Sequence, residues 1–426
     1  NAHIARPGKN HSISSTASTY LRKKLERRMC KSVSKEDFKG SSTPSTTKST
    51  TSRNWPKIAF VLVSVFVAAI AVLLPIIISE DSDGWTRKYT SPGPIFKASD
   101  IGDMTGKVAI VTGSNTGIGY HTALELVRNG ADVVVAARSP AKGEAAVSAI
   151  LEEVEADDNA GNVVYMPLDL SSLMSVKKFA DDFLKLKKPL HILVNNAGVM
   201  KSPGAQYVGQ NFTYGFETTV DGFESHIGIN HIGHFYLTQL LTKKLEDSAP
   251  SRVVALSSSA ESGSYPEGMR FDLWKPSGGE RDEDYEDGMA YGQSKLAAIL
   301  FARELAERLE GTGVTAYSCH PGIITTELGR YMGKKMTDDA TEGGILARLA
   351  LYLGGGIFTM ANFKPEDGAL TQLQLSTADP AALTNGAYYR PIGRMVQPRH
   401  AQGTNSTLQK ELWTKTEKAV KGGSLL

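Results

Sequence analysis

The 426 residues are 41% hydrophobic and 22% charged, proportions that permit a large buried core and exclude a wholly disordered, collagen-like or disulfide-scaffold chain. Two cysteines, Cys30 and Cys319, are too few for a disulfide framework. The net charge of +2 averages two unlike pieces, since residues 1–57 hold 13 Lys+Arg against 3 Asp+Glu and leave 34 against 42 for the rest.

The basic piece comes first. The chain opens on Asn1 rather than Met, which leaves room for a targeting peptide upstream. Residues 40–53 are almost all Ser, Thr, Pro and Lys, so the tail 1–57 has too little apolar surface to offset the entropy of ordering and is expected to be disordered. The stretch from Leu21 to Lys31 reads either as a basic amphipathic helix or, more simply, as a solvated charged tail. From Ile58 to Ile78 run 21 uncharged residues, which at about 1.5 Å per residue match a hydrocarbon layer of roughly 30 Å. Trp55 and Trp85 lie at interface positions. A transmembrane helix at 58–78, retained as a signal anchor, is therefore expected, followed by a linker at 79–104. Arg53 and Lys57 precede it while Glu80, Asp81 and Asp83 follow, which leaves the tail cytoplasmic and the globular part facing a lumen; Arg87 and Lys88 weaken that asymmetry. The membrane is that of the endoplasmic reticulum or another organelle.

Beyond Thr105 the pattern becomes regular. Short β-branched runs at 107–112, 132–137, 163–168, 192–195, 253–257 and 314–318 alternate with helical segments. Near-continuous apolar runs signal strands covered on both faces, so 105–426 is expected to be a single α/β domain, a doubly wound parallel sheet of Rossmann type. The first run leads into Thr112-Gly113-Ser114-Asn115-Thr116-Gly117-Ile118-Gly119 and an apolar helix. Glycines there let the backbone turn tightly and approach a pyrophosphate at the helix N-terminus, and the strand before and helix after distinguish this from a mere tight turn. The second run ends Ala136-Ala137-Arg138, with no acid to accept from a ribose 2′-hydroxyl. An arginine there suits a 2′-phosphate, which points to NADP(H); the alternative is a solvent-facing strand-end residue. Asp169 is expected either to accept from the adenine amino group or to cap the helix beginning near Ser171.

Hydride transfer to a carbonyl needs a proton donor. A tyrosine serves only if its pKa, ordinarily about 10, falls toward neutrality, and a lysine four residues on shares its helix face. Tyr20/Lys24, Tyr331/Lys335 and Tyr291/Lys295 all show that spacing, but only Tyr291 follows the fifth strand and opens an apolar helix. Ser258, at the end of the fifth strand, is expected to hydrogen-bond the substrate carbonyl, although a strand-end turn serine would look the same. Asn230, in Gly228-Ile229-Asn230-His231-Ile232-Gly233-His234, could hold a water that relays protons to Lys295.

These segments, together with Asn195-Asn196-Ala197-Gly198, Gly222-Phe223-Glu224 and His320-Pro321-Gly322, resemble the short-chain dehydrogenases/reductases, and among them the membrane-anchored retinol dehydrogenase-like branch. The resemblance runs from about Thr105 to Val420. It implies that Tyr291 is the proton donor, assisted by Lys295, Ser258 and Asn230. It also implies that Gly113, Ser114, Asn115, Gly117, Ile118, Gly119, Arg138, Asp169, Asn196, Ala197, Gly198, Tyr291, Lys295, Pro321, Gly322, Ile324 and Thr326 surround the cofactor, Ile324 and Thr326 touching the nicotinamide carboxamide. The stretch 202–219 and the acidic run 280–287 are expected to decide what substrate enters.

The function expected is an NADP(H)-dependent carbonyl reductase/alcohol dehydrogenase acting on a lipophilic small molecule such as a retinoid, a steroid or a lipid aldehyde. Alternatives are a carbon–carbon double-bond reductase of the protochlorophyllide reductase type and a noncatalytic dinucleotide-binding membrane scaffold. No metal and no nucleic-acid partner is expected, and assembly as a homodimer is left open. His231 and His234 lack a third ligand at metal spacing, and no Gly-x-Ser-x-Gly of a serine hydrolase occurs. Asn10, Asn211 and Asn405 begin glycosylation triplets at a frequency chance alone supplies.

Overall fold

The structure is a computed structural model that describes residues 95–200, 217–275, 284–324 and 363–422. The tail at 1–57, the span at 58–78 and most of the linker lie outside the described residues, as do the tyrosine–lysine pairs Tyr20/Lys24 and Tyr331/Lys335, Thr326, and most of the two loops expected to admit substrate. Among the described residues no helix is long and apolar enough to cross a membrane.

Eight strands form one sheet in the order β3-β2-β1-β4-β5-β6-β7-β8. They are β1 (Val108–Thr112), β2 (Asp132–Ala137), β3 (Val163–Pro167), β4 (Ile192–Asn195), β5 (Ser251–Leu256), β6 (Val314–Cys319), β7 (Tyr388–Arg390) and β8 (Arg394–Val396). All pairings are parallel except that of β7 with β8. Alternate side chains of each strand leave by opposite faces. Val108 and Ile110 of β1, with Val253 and Ala255 of β5, enter one core, while Ala109 and Val111, with Val254 and Leu256, enter the other. This two-sided burial is what makes the strands read as unbroken apolar runs.

One core is covered by α1 (Gly117–Arg128), α2 (Pro140–Glu153) and, further along the chain, a helix at Pro365–Thr377. The other is covered by α3 (Leu173–Lys185), α4 (His234–Asp247) and α5 (Asp287–Arg308). The Pro365–Thr377 helix is α6, and the chain ends its described part in α7 (Ser406–Val420). Local chemistry starts these helices where they start: Ser139 caps α2 ahead of Pro140, Ser172 caps α3, and Asn405 caps α7 by accepting from the amides of Thr407 and Leu408. Helix α7 seals the outer side of α4 and α5, its Trp413 ring lying 4.8 Å from that of Phe235 and stacked on Phe301.

The six expected strands are all present, with β5 beginning two residues earlier at Ser251. The β7–β8 hairpin is an addition. Each of its strands has three residues, too few for an alternation to register in sequence, and β7 is held by pairing to β6. Because β1 is flanked by β2 on one side and β4 on the other, the connections leave it in opposite directions, and a crevice opens beyond the strand C-termini.

Candidate active site

Gly113 and Gly119 shape the crevice. Gly113 has φ +65°, and a Cβ there would lie 2.9 Å from the Cα of Ala197; one on Gly119 would lie 2.4 Å from Nδ2 of Asn196. The turn after β1 is therefore pressed against the turn after β4. Thr112 fastens them, its hydroxyl accepting from the amides of Asn196 and Ala197, both at 2.9 Å, and donating to Nε2 of His234 at 2.8 Å. The other ring nitrogen of His234 reaches the carbonyl of Asn230 at 3.0 Å, and burial pulls this histidine down to about 4, so it is neutral near pH 7. His234 thus joins the turns to the segment that carries Asn230.

The groove has a volume of about 810 Å³, and Gly113, Asn115, Gly117, Ile118, Gly119, Arg138, Asn196, Ala197, Gly198, Ser258, Tyr291, Lys295, Pro321, Gly322 and Ile324 all line it. Arg138 is exposed at its rim. A cavity of about 500 Å³ between α5 and the β7–β8 hairpin contains none of these residues.

Two expected residues have other surroundings. Ser114 is fully buried and donates to the carbonyl of Val111 at 2.7 Å, so its hydroxyl faces into the turn rather than the groove. Asp169 is not among the lining residues; its carboxylate accepts from the amide of Ser171 at 2.9 Å and its hydroxyl at 2.7 Å. Nor does Asp169 cap α3, a place that Ser172 takes. Asn196 lines the groove while its amide group donates to the carbonyl of Thr112 at 2.7 Å.

Asn230 sits in a π-helical turn, Gly228–Gly233, just ahead of α4. Such a turn is rare and tends to occur where function displaces the regular ladder. The Asn230 side chain accepts from the amide of Val199 at 2.8 Å and donates to the carbonyl of Val199 and the hydroxyl of Ser294. The side chain thus ties the Val199 segment to Ser294 of α5. It still borders Lys295, since a Cβ on Gly198 would lie 3.3 Å from Lys295 Nζ and 3.4 Å from Asn230 Oδ1.

Tyr291 and Lys295 lie one turn apart on α5, both buried, with Lys295 Nζ 5.6 Å from the center of the Tyr291 ring. The amine donates to the carbonyl of Leu256 at 3.2 Å, and Ser257 ties the Lys295 carbonyl to the end of β5 at 2.7 Å. Burial pulls Lys295 down to about 8. Burial likewise pushes Tyr291 up to about 12, against which the hydrogen bond from Ser258 works. Desolvation of the phenol therefore opposes the lowering expected from the lysine one turn on. Ser258 accepts from the amide of Ala260 at 3.2 Å, which leaves its proton for Tyr291.

The lining also includes Thr116, His121, Val199, Met200, Ile229, Leu256, Ser257, His320 and Pro365, none of them expected from sequence as a site residue. Val199 and Met200 directly follow the Asn196–Gly198 turn, and His320 precedes Pro321, so adjacency to the motifs was the available signal.

Fold and groove define a doubly wound dinucleotide-binding domain. The short chain dehydrogenase family model matches residues 107–270. Retinol dehydrogenase 12 of Mus musculus is 41% identical over 73% of this chain and 85% of its own length. Human retinol dehydrogenase 13 is 37% identical over 74% and 85%. Among solved structures, an uncharacterized protein from Mycobacterium Paratuberculosis is 31% identical, covering 77% of this chain and 98% of its own, with a TM-score of 0.54. The chain belongs to the short-chain dehydrogenase family, on its retinol dehydrogenase-like branch, and is an oxidoreductase that works with a nicotinamide dinucleotide.

Proposed function

We propose that this protein interconverts a carbonyl and an alcohol on a lipophilic small molecule with NADP(H), using Tyr291 as proton donor. The observation that supports the reading is the meeting, in one groove, of a glycine turn at the N-terminus of α1 and a buried tyrosine hydrogen-bonded by a serine. The glycine cradle and the groove fit a dinucleotide, which when bound supplies or accepts the hydride. Gly113, Gly117 and Gly119 would border its pyrophosphate and Pro321, Gly322 and Ile324 its nicotinamide end, where the family resemblance also puts Thr326. Arg138 would meet the 2′-phosphate, a reading supported by its exposure at the rim and by the absence of an acid there.

Ser258 orients the substrate carbonyl and holds the phenolic oxygen of Tyr291, which gives its proton to the forming alkoxide in reduction and takes it back in oxidation. Lys295, close to neutrality in its acidity, passes the replacement proton, and Asn230 holds the Val199 loop beside it. A bound oxidized nicotinamide would bring positive charge that opposes the effect of burial on the phenol.

The lipophilic substrate is supported by the apolar segment 58–78, which as an anchor holds the domain beside a membrane pool, and by the names of the retinol dehydrogenase relatives. On this reading 1–57 is a tail, 58–78 the anchor, 79–104 a linker and 105–426 the enzyme. The test is NADPH consumption by the detergent-solubilized protein against all-trans-retinal, steroids and long-chain aldehydes, with Tyr291→Phe beside it. Turnover in the wild type, and its loss in Tyr291→Phe with NADPH binding retained, is expected; normal turnover by the variant refutes the mechanism.

A further inference from the structure

Against the Tyr291 ring lies a second set of titratable groups to which the chemistry above gives no task. His226 meets the Tyr291 ring edge to face, with centers 5.9 Å apart and planes at 69°. Its Nδ1 is 2.7 Å from Oε1 of Glu224, and both side chains are buried. The same Oε1 accepts from the amide of His226 at 2.9 Å and the hydroxyl of Tyr285 at 3.1 Å, while Oε2 accepts from the amide of Ile227 at 2.9 Å. Burial raises the carboxyl of Glu224, but the hydrogen bonds and charge of His226 and the two amides overcome it and hold the group ionized.

We infer that Glu224 and His226 are positioning residues that set the plane of the Tyr291 ring, an inference that rests on Tyr291 being the proton donor. A phenol ring held only at its oxygen can tilt about its χ2 axis, which has a broad, shallow minimum. Here the tilt is blocked by an imidazole that cannot itself rotate, because Glu224 grips its Nδ1. Glu224 is fixed in turn from both flanks. Its amide donates to the carbonyl of Trp274 at 2.8 Å, and the Tyr285 hydroxyl at its Oε1 also lies 2.9 Å from Oδ1 of Asp287, one turn before Tyr291 on α5. A bare helix cap needs only a short acceptor, whereas this carboxylate spends the same oxygen on cap, imidazole and phenol together. The pair also stands directly before the π-turn that carries Asn230, so the two segments flanking the tyrosine share one rigid origin.

Displacements of about 1 Å at a reacting group cost on the order of 10²-fold. His226→Ala is therefore expected to lower kcat about 10- to 100-fold, and Glu224→Gln, which keeps the cap acceptor but weakens the grip, by about 5-fold. KM and the Kd for NADPH should change less than twofold in both. His226→Gln, able to donate to Glu224, should recover part of the loss. Leu412→Ala on α7, buried away from the groove, controls for stability: it should lower Tm without the kcat loss. If His226→Ala does not fold, His226→Gln and Glu224→Gln decide, and wild-type kcat in both overturns the inference. An inactive Tyr291→Phe with a fully active His226→Ala sinks this inference alone; an active Tyr291→Phe sinks the proton-donor reading beneath it.

Discussion

Lys295→Met should make the protein more stable while destroying its activity. Burial lowers the amine from 10.5 to about 8, a displacement worth roughly 3 kcal/mol at 1.36 kcal/mol per unit against the charged folded state. Methionine fills nearly the same volume without charge, but forfeits the hydrogen bond to the Leu256 carbonyl, worth about 1 kcal/mol. The net expectation is about 2 kcal/mol of added stability near pH 7, or roughly 3 °C in Tm for a domain of ~300 residues. Between pH 8 and 10.5 the folded wild type binds fewer protons than its unfolded chain, so its stability rises with pH through that window while the variant's does not. The gain should accordingly be flat below pH 8, fall as pH rises, and pass through zero before pH 10.5, where only the lost hydrogen bond remains. Thermal unfolding of both proteins without cofactor, in the same detergent at pH 6.5, 7.5, 9 and 10, measures it. A variant less stable than wild type at pH 7, or a gain that persists unchanged to pH 10, refutes the claim that the amine is held buried at a cost.

Arg138→Ala should weaken NADPH about 10- to 30-fold, the loss of one solvent-exposed charge-assisted contact, and leave NADH nearly unaffected; equal losses for both, by fluorescence titration, would remove the 2′-phosphate contact. Gly119→Ala has nowhere to put its Cβ except against the Asn196 amide and the Gly113 carbonyl, and should lower cofactor affinity at least tenfold together with a fall in Tm; wild-type affinity would show that the two turns are not packed as described.

The parallel sheet was legible because strands buried on both faces cannot alternate, and β1 through β6 read as apolar runs. The short β7–β8 hairpin was not, since its register comes from β6 rather than from any period of its own. The glycine turn and the Tyr291/Lys295 pair were also legible, as both depend on short-range backbone geometry: a bend without Cβ atoms and one turn of helix. Ser114, Asp169 and Asn230 show the limit. Their residue types suit the groove, yet each side chain is engaged by protein, Ser114 and Asp169 locally with Val111 and Ser171 and Asn230 across the fold with Val199, and no spacing rule chooses between a ligand and a neighbor.

What the order of residues determined by itself was which groups share a turn or a helix face, because those distances are set within a few bonds. Which way the tyrosine's acidity moves, which polar atoms are already paired and what stands behind the ring were decided only by tertiary structure. Desolvation depends on everything that closes over a group, and His226 reaches Tyr291 only because two segments 65 residues apart pack together.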